Sequence, residues 1–278
     1  MATGRLFVVA TPIGNLDDIG ARALRVLTSV SLVAAEDTRH SKKLLDHFQI
    51  RTPLTSYHDH NETEKAGALL DALREGRDVA LITDAGTPCI ADPGFRVVRA
   101  ARDAGIPVET VPGPSAVVAA LSISGLPSDA FAFHGFFPRK AKDADRAIEK
   151  ARSFGGTHIF YEAANRVLDT LSLLAAKASD AEVCVARELT KMHEEVVRGT
   201  AKSVGEHFEH NPLKGECVIL IYFGAAADSA ASLTDDEIRA AVDDVIATQS
   251  VSRRDAIRAV ASRTGIPRNR VYDVAGKA

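Results

Sequence analysis

Two short loops concentrate the residues of this chain that could do chemistry. Thr83-Asp84-Ala85-Gly86-Thr87-Pro88, running on to Asp92-Pro93-Gly94, and Ala10-Thr11-Pro12-Ile13-Gly14-Asn15 each follow an apolar run and lead into a helical pattern. Gly86 and Gly94 let backbone approach a ligand closely, Pro88 and Pro93 restrict φ, and Asp92 is placed to cap a helix whose first position is Pro93. Neither Gly-x-x-x-x-Gly-Lys-Ser/Thr nor Gly-x-Gly-x-x-Gly is present, so a nucleoside triphosphate or a nicotinamide dinucleotide lacks its usual signature. Carboxylate and carbonyl oxygens with few cations suit a ligand that carries positive charge and no phosphate. S-adenosylmethionine is such a ligand. A tight strand-to-helix turn without any ligand is the plainer reading of one such loop, and several in register weaken it.

The elements that must hold these loops alternate. Strands are expected at 4–10, 32–35, 78–83 and 108–111, and helices at 18–30, 41–48, 64–75 and 93–104. The apolar runs read as strands buried on both faces, and ligands of open α/β sheets bind outside the carboxyl ends of such strands. Pro112-Gly113-Pro114 is a rigid break, followed by a small-residue helix over 116–122. A second α/β region follows, with strands at 130–134, 157–161, 182–186 and 216–222 and helices at 144–152, 166–176 and 203–207. Two α/β halves imply a cleft between them. The Ala- and Ser-rich stretch 225–232 has the profile of a flexible linker, and helical patterns at 234–248, 252–263 and 267–275 close the chain. The expected domains are therefore 1–112, 113–224 and 232–278.

Composition bounds the class. The chain has 278 residues, 46% of them hydrophobic, and a net charge of −3, enough for two sizeable cores. Its longest apolar stretch, 217–227, is too short to span a bilayer, and the start shows no basic segment followed by a hydrophobic one. Cys89, Cys184 and Cys217 are odd in number and scattered, which suits reduced thiols in a cytoplasm better than disulfides or a zinc site. From Ser252 onward, seven Lys or Arg face two Asp, a local charge of +5 that points to a polyanion. The three terminal helices look like a helix-turn-helix module; a helical cap carrying solvated arginines is the alternative.

Taken in order, Ala10–Leu16, Ala35–His40, Ser56–Glu62, Asp84–Pro88 with Asp92–Gly94, Pro112–Ala116, Gly135–Lys140 and Ala186–Lys191 resemble the bacterial 16S ribosomal RNA methyltransferases that modify a cytidine 2′-hydroxyl in the decoding region. Those enzymes belong to the tetrapyrrole methylase superfamily. The resemblance covers residues 4–223, and the terminal helices resemble the module appended to the same enzymes. It implies a two-domain α/β methyltransferase, homodimeric, cytoplasmic and without membrane contact, holding S-adenosylmethionine between its domains and acting on 16S rRNA within the small ribosomal subunit. One departure stands out. Where relatives commonly read Glu-Ser-Pro-His-Arg, this chain has Glu162-Ala163-Ala164-Asn165-Arg166, so no histidine there can act as a base. Cys89 also sits where a small or aliphatic residue is usual, and it is expected to pack.

The resemblance assigns the cofactor to Pro12, Gly14, Asp84, Ala85, Gly86, Thr87, Pro88, Ile90, Ser115 and Ala116, and we add Tyr161 and Leu189 from the second half. Methyl transfer to an alcohol needs alignment first and a proton acceptor second. Glu36 or Asp37 could take the proton while Arg39 grips phosphate, or Asp37 and Arg39 could pair internally. Lys191 beside Glu188, just after Arg187, could act as a base or form a solvated pair. His58, Asp59, His60 and Glu62 are a weak metal signature, better read as RNA contact or a polar loop network, and no metal is expected. Phe136, Phe137, Arg139, Lys140 and Lys142 could hold an unstacked nucleotide, or be a linker whose phenylalanines are core. Arg253, Arg254, Arg268 and Arg270 are candidate RNA contacts. A tetrapyrrole C-methylase is the alternative of the same fold, against which stand the Thr11–Asn15 loop, which is not of the Gly-x-Gly-x-Gly-Asp type, and the basic tail. A non-enzymatic RNA-binding protein is the alternative of a different class.

Overall fold

The computed structural model describes residues 3–211, 213–224, 234–249, 251–264, 266 and 268–276. The first half is a five-stranded parallel sheet built from β1 (Leu6–Val9), β2 (Leu32–Ala35), β3 (Leu54–Ser56), β4 (Val79–Ile82) and β5 (Val108–Val111), in the order β3-β2-β4-β1-β5. Its helices are α1 (Ala21–Ser29), α2 (Thr38–His47), α3 (Glu62–Arg74) and α4 (Phe95–Asp103). All four residues of β4 are buried, as its unbroken Val-Ala-Leu-Ile run requires of a strand covered on both faces. Val8 pairs with Leu81, and Ala35 with Ile82. The loops after β1, β2 and β4 therefore leave the sheet side by side.

From β5 the chain passes into α5 (Ala116–Ser124), then into a mixed sheet of order β6-β7-β10-β8-β9: β6 (Phe131–Phe136), β7 (Thr157–Ala163), β8 (Glu182–Arg187), β9 (Glu195–Thr200) and β10 (Glu216–Tyr222). Helices α6 (Ala141–Phe154), α7 (Val167–Lys177) and α8 (Ala201–His210) accompany it. One sheet face packs with these helices around Phe160, Leu171, Val185 and Phe208. The other packs on α5 through Ile159, Ala186 and Leu220. Because β10 runs antiparallel to β7 and β8, its first residues sit beside the last residues of both. The terminal helices α9 (Asp235–Gln249), α10 (Arg253–Thr264) and α11 (Arg268–Ala275) enclose a core of their own around Val242, Ile257, Val260 and Val271.

Several expectations are corrected. Strands β3 and β9 were not foreseen. The first has only three residues, and the second, Glu-Val-Val-Arg-Gly-Thr, is half-exposed along the sheet edge, so neither has a long apolar run. The polar stretch before residue 41 is already helical, since Asp37 caps α2 by accepting from the Arg39 N–H at 2.8 Å. The first helix starts at Ala21, after a short 3-10 turn over Leu16–Asp18 capped by Asn15. Asp92 caps nothing: α4 begins at Phe95 with Gly94 as its N-cap at φ 140°. A Cβ on Gly94 would lie 2.7 Å from Cys89 Sγ and 2.9 Å from Leu81 Cδ2, so the chain hugs the end of β4 and delays the helix. Cys89 packs as expected, and burial pushes its thiol up to about 11. The linker at 225–232 lies outside the described residues.

Candidate active site

The loop after β4 is fastened to the loop after β1. Thr11 N–H donates to the Gly86 carbonyl at 2.9 Å, Gly86 N–H donates back at 3.1 Å, and the Thr11 hydroxyl donates to the Thr83 carbonyl at 3.0 Å. The Thr87 hydroxyl adds a bond to the Pro114 carbonyl at 3.2 Å. Gly86 stands at φ 89°, and the non-glycine residues Cys89 and Ala91 adopt left-handed values of 71° and 64°, a strain that persists where surrounding contacts impose it. Glu36 reaches in from the end of β2. It accepts from the Thr83 hydroxyl at 2.5 Å and the Asp84 N–H at 3.3 Å. Asp84 accepts from Asp37 N–H at 3.1 Å.

Carboxylates crowd this wall. Burial first, then the charges of Glu36, Glu216 and Asp84, push the Asp92 carboxyl up to about 7 against an opposing hydrogen bond from Thr83. Burial and Glu36 raise Asp84 as well, against the Asp37 N–H. Asp37 itself is held well below the usual carboxylate range by the Arg39 side chain, with which it forms a two-pronged pair at 2.7 and 3.1 Å.

The facing wall comes from the mixed sheet. The loop after β8 carries Glu188 at φ 51° and Thr190 at φ 64°. Glu195 anchors its base by accepting from Arg187 at 2.6 Å and bonding to His207 at 2.8 Å. Within the loop, Thr190 N–H donates to Glu194 at 2.6 Å, and Lys191 pairs with Glu188 at 2.9 Å. The two halves meet here: Asn15 N–H donates to Thr190 Oγ1 at 3.1 Å. A Cβ on Gly14 would lie 2.7 Å from Lys191 Cγ and 2.9 Å from the Leu189 carbonyl oxygen.

A bulge between Phe133 and Phe136, with Gly135 at φ 71°, completes the wall. It turns Phe137 into the core and leaves Phe136 50% exposed, edge-on to Tyr161 at 5.7 Å. Burial, then Asp92 and Glu216, push the Tyr161 phenol up to about 12. Behind the bulge, Arg166 donates to the Phe137 and Pro138 carbonyls at 3.5 and 3.4 Å and pairs with the fully buried Glu162 at 3.0 Å. The departure at 162–166 thus retains a Glu–Arg brace, while Asn165 is exposed.

The cleft between the walls holds about 490 Å³, within the range of small-molecule sites. Asp84, Ala85, Gly86, Thr87, Ile90, Ser115, Ala116, Tyr161 and Leu189 line it, as do Glu36, Glu188 and Lys191. Three expected cofactor contacts do not. Pro12 and Pro88 are buried within their turns, and Gly14 is needed for the close approach of the halves. Ile13 enters the cleft in place of its neighbours. Arg39, with a side chain 89% exposed, is outside the lining and committed to Asp37. Arg139 and Lys140 are exposed just beyond Phe136, where α6 begins. The segment around His58 is a polar loop network in which Asn61 accepts from the His58 N–H at 2.9 Å and donates to Ser56 Oγ at 3.2 Å. On the terminal helices Arg254, Arg268 and Arg270 are exposed, whereas Arg253 is pinned to Asp243 and to the Ala275 carbonyl.

Sequence reasoning missed Asp92 as a lining residue, along with Glu216, Cys217 and Val218. The acidic Asp92-Pro93-Gly94 turn was visible, but its direction was not. The β10 residues reach the cleft only through antiparallel pairing, which leaves no local signature. In chemical terms, Glu36, Asp84, Asp92 and Glu216 face, among the described residues, one lining cation, Lys191, already paired with Glu188. Such a site fits a ligand bearing sulfonium and ammonium charge and disfavours a phosphate.

Residues 5–205 match the family described as Tetrapyrrole (Corrin/Porphyrin) Methylases. The chain is 44% identical over 278 residues to the Ribosomal RNA small subunit methyltransferase I of Pseudomonas aeruginosa, covering 99% of this chain and 98% of that protein. It is 48% identical over 224 residues to the protein of the same name from Escherichia coli O157:H7, covering 78% and 77%. Diphthine synthase shares the fold at a TM-score of 0.63 and 14% identity, covering 78% of this chain and 89% of that one. Uroporphyrin-III C-methyl transferase from Thermus thermophilus, complexed with S-adenyl homocysteine, shares it at 0.54 and 18% identity, covering 79% and 97%. The fold, the cleft and the matched residues agree that this chain belongs to the tetrapyrrole methylase family, among its ribosomal RNA small subunit methyltransferase I members.

Proposed function

We propose that the chain is an S-adenosylmethionine-dependent methyltransferase that methylates a cytidine ribose 2′-hydroxyl in the decoding region of 16S rRNA, in the small ribosomal subunit of the cytoplasm. The observation that carries this reading is the acidic cleft between the two sheets, edged by an exposed ring at Phe136 and by the cations Arg139 and Lys140. When bound, S-adenosylmethionine supplies an electrophilic methyl group on a positively charged sulfur. Asp84 to Thr87, Ile90, Ser115 and Ala116 hold it from one side, and Tyr161 and Leu189 from the other. Phe136 offers a face to the target base while Arg139 and Lys140 take the flanking phosphates. On the terminal module the exposed Arg254, Arg268 and Arg270 supply further positive charge towards the RNA, while Arg253 is held by Asp243 and the Ala275 carbonyl.

The hydrogen bonds favour one carboxylate as proton acceptor. Among the described residues, Glu36 is engaged by Thr83 and the Asp84 N–H, Asp84 by the Asp37 N–H, and Glu188 by Lys191. Asp92 faces Thr83, whose single hydroxyl proton goes to Glu36, and Glu216 is exposed. Asp92, poised near neutral pH, takes the proton of the attacking hydroxyl and returns it to water. Glu36 fixes Thr83 and the backbone at Asp84, and Glu188 with Lys191 closes the far wall. The half-exposed side of α5, with Val118 and Ile123 56% and 48% exposed, supports a homodimer, because a helix apolar all round is ordinarily covered.

Labelled methyl transfer to small subunits lacking the modification, beside naked 16S RNA and with nucleoside mass spectrometry, tests the reading. Label on a cytidine 2′-oxygen is the expected result. No label on either RNA despite measured cofactor binding would shift the substrate to a tetrapyrrole.

A further inference from the structure

The terminal module holds a second concavity, of opposite character to the cleft. It encloses about 530 Å³ and is lined by Arg253, Arg254, Ile257, Arg268, Tyr272 and Gly276. Arg253 ties the start of α10 to the end of α11, donating to the Ala275 carbonyl at 2.9 Å and to Asp243 at 3.1 Å. It is therefore part of the frame. Arg254 and Arg268 are exposed, and neither has an ion-pair or hydrogen-bond partner among the described residues. Tyr272, 57% exposed, lines the same concavity together with the buried Ile257. A Cβ on Gly276 would stand 2.3 Å from the Tyr272 carbonyl oxygen and 3.1 Å from its Cδ2, so glycine is needed for the chain to pass this close to Tyr272.

We propose that this concavity is a binding site for one nucleotide of single-stranded RNA, with its phosphate between Arg254 and Arg268 and its base stacked on Tyr272. Two free guanidiniums match phosphate oxygens by charge and by hydrogen-bond geometry. An exposed aromatic ring offers any unpaired base a face. The bases of a duplex are already stacked, so a concave site of this size has nothing to take from one. The acidic cleft repels a phosphate chain, and a separate grip for the strand answers that repulsion. The assignment rests on the reading of RNA as substrate and places a contact for it outside the cleft.

The test uses the full chain and a short fluorescently labelled single-stranded RNA, with the same strand annealed to its complement. Tyr272→Ala should weaken strand binding roughly tenfold, while Tyr272→Phe keeps it. Arg254→Glu combined with Arg268→Glu should weaken it further and reduce the slope of log affinity against log salt by about 0.7, the loss of one neutralised phosphate on a single strand. The wild-type chain should bind the duplex more weakly than the strand. S-adenosylmethionine binding should be unchanged in every variant, showing that the body is folded. Strand binding by Tyr272→Ala at the wild-type level, or an unchanged salt slope in the double variant, overturns the site. Equal binding of duplex and strand overturns it too. Absence of methyl transfer to any RNA by the wild-type chain overturns the substrate reading instead, and the strand measurements separate the two failures.

Discussion

The wall contributed by the parallel sheet holds Glu36 and Asp84, locked by backbone and hydroxyl donors from neighbouring strand ends, and the less engaged Asp92. The wall contributed by the mixed sheet holds Phe136, Tyr161, Leu189 and Val218, together with a Glu188–Lys191 pair of its own. One wall concentrates charge that can move a proton; the other presents rings and apolar surface that can hold a base and a cofactor in place. On the roles proposed above, the proton acceptor and the stacking ring fall to different sheets, so substitutions on the two sides should separate turnover from binding.

The largest effect should come from the charged wall. Asp92→Asn should lower methyl-transfer turnover about 10²- to 10³-fold, with cofactor affinity changed far less, as read by single-turnover kinetics and calorimetry. In the unaltered enzyme the rate should climb tenfold per pH unit below about 7 and level above it, following ionisation of Asp92, and the variant should lose that limb. Next comes the seam. Gly14→Val puts branched carbon where Lys191 Cγ and the Leu189 carbonyl already lie. Overpacking of this kind destabilises by about 1 to 3 kcal/mol, and cofactor affinity should fall at least tenfold because both walls are needed. On the positioning wall, Phe136→Ala should raise KM for subunits about tenfold with kcat nearly unchanged, and Phe136→Trp should restore it.

Stability supplies a subtler contrast. The folded protein holds a proton on Asp92 up to about pH 7, whereas an unfolded aspartate releases it near pH 4. Folding stability contributed by this group is therefore complete below about pH 4 and is lost as pH rises to 7. Asp92→Asn should remove that dependence and stabilise the protein above pH 7 by roughly 1 to 3 kcal/mol after allowance for partial solvent screening, seen as a higher Tm at pH 8 than at pH 4 relative to wild type. Smallest of all, Lys191→Ala removes a part-exposed ion pair and should change stability by less than about 1 kcal/mol.

The two walls also differ in how far the sequence reveals them. Strand-length apolar runs at 6–9, 32–35 and 79–82 announce strands buried on both faces, and the polar residues directly after them must emerge at one sheet edge. Glu36 and Asp84 to Thr87 were therefore legible. Asp92 was legible as a residue but not as a cleft group, because only the packing of Cys89 and Leu81 against Gly94 shows that the turn faces inward. Gly14 was expected among the cofactor contacts, whereas it serves approach between halves. In the second wall, Tyr161 and Leu189 were added from the residues at or just after the ends of their strands, while Glu216 to Val218 depended on the direction of β10, set by pairing with strands up to 65 residues away, as between Tyr222 and Thr157. Tyr272 carried no signal beyond its own exposure, which a sequence does not state.

The contact between Asn15 and Thr190 spans 175 positions of chain. A site that needs both cannot exist while the polypeptide is partly made: the first sheet can be complete by residue 111, yet its acidic loops face open solvent until the segment after β8 has emerged and docked. Contacts of such separation form late, after local elements have condensed. Capture of the cofactor therefore reports that the chain has passed both sheets, and a truncated product ending before Thr190 would be folded in part and chemically silent.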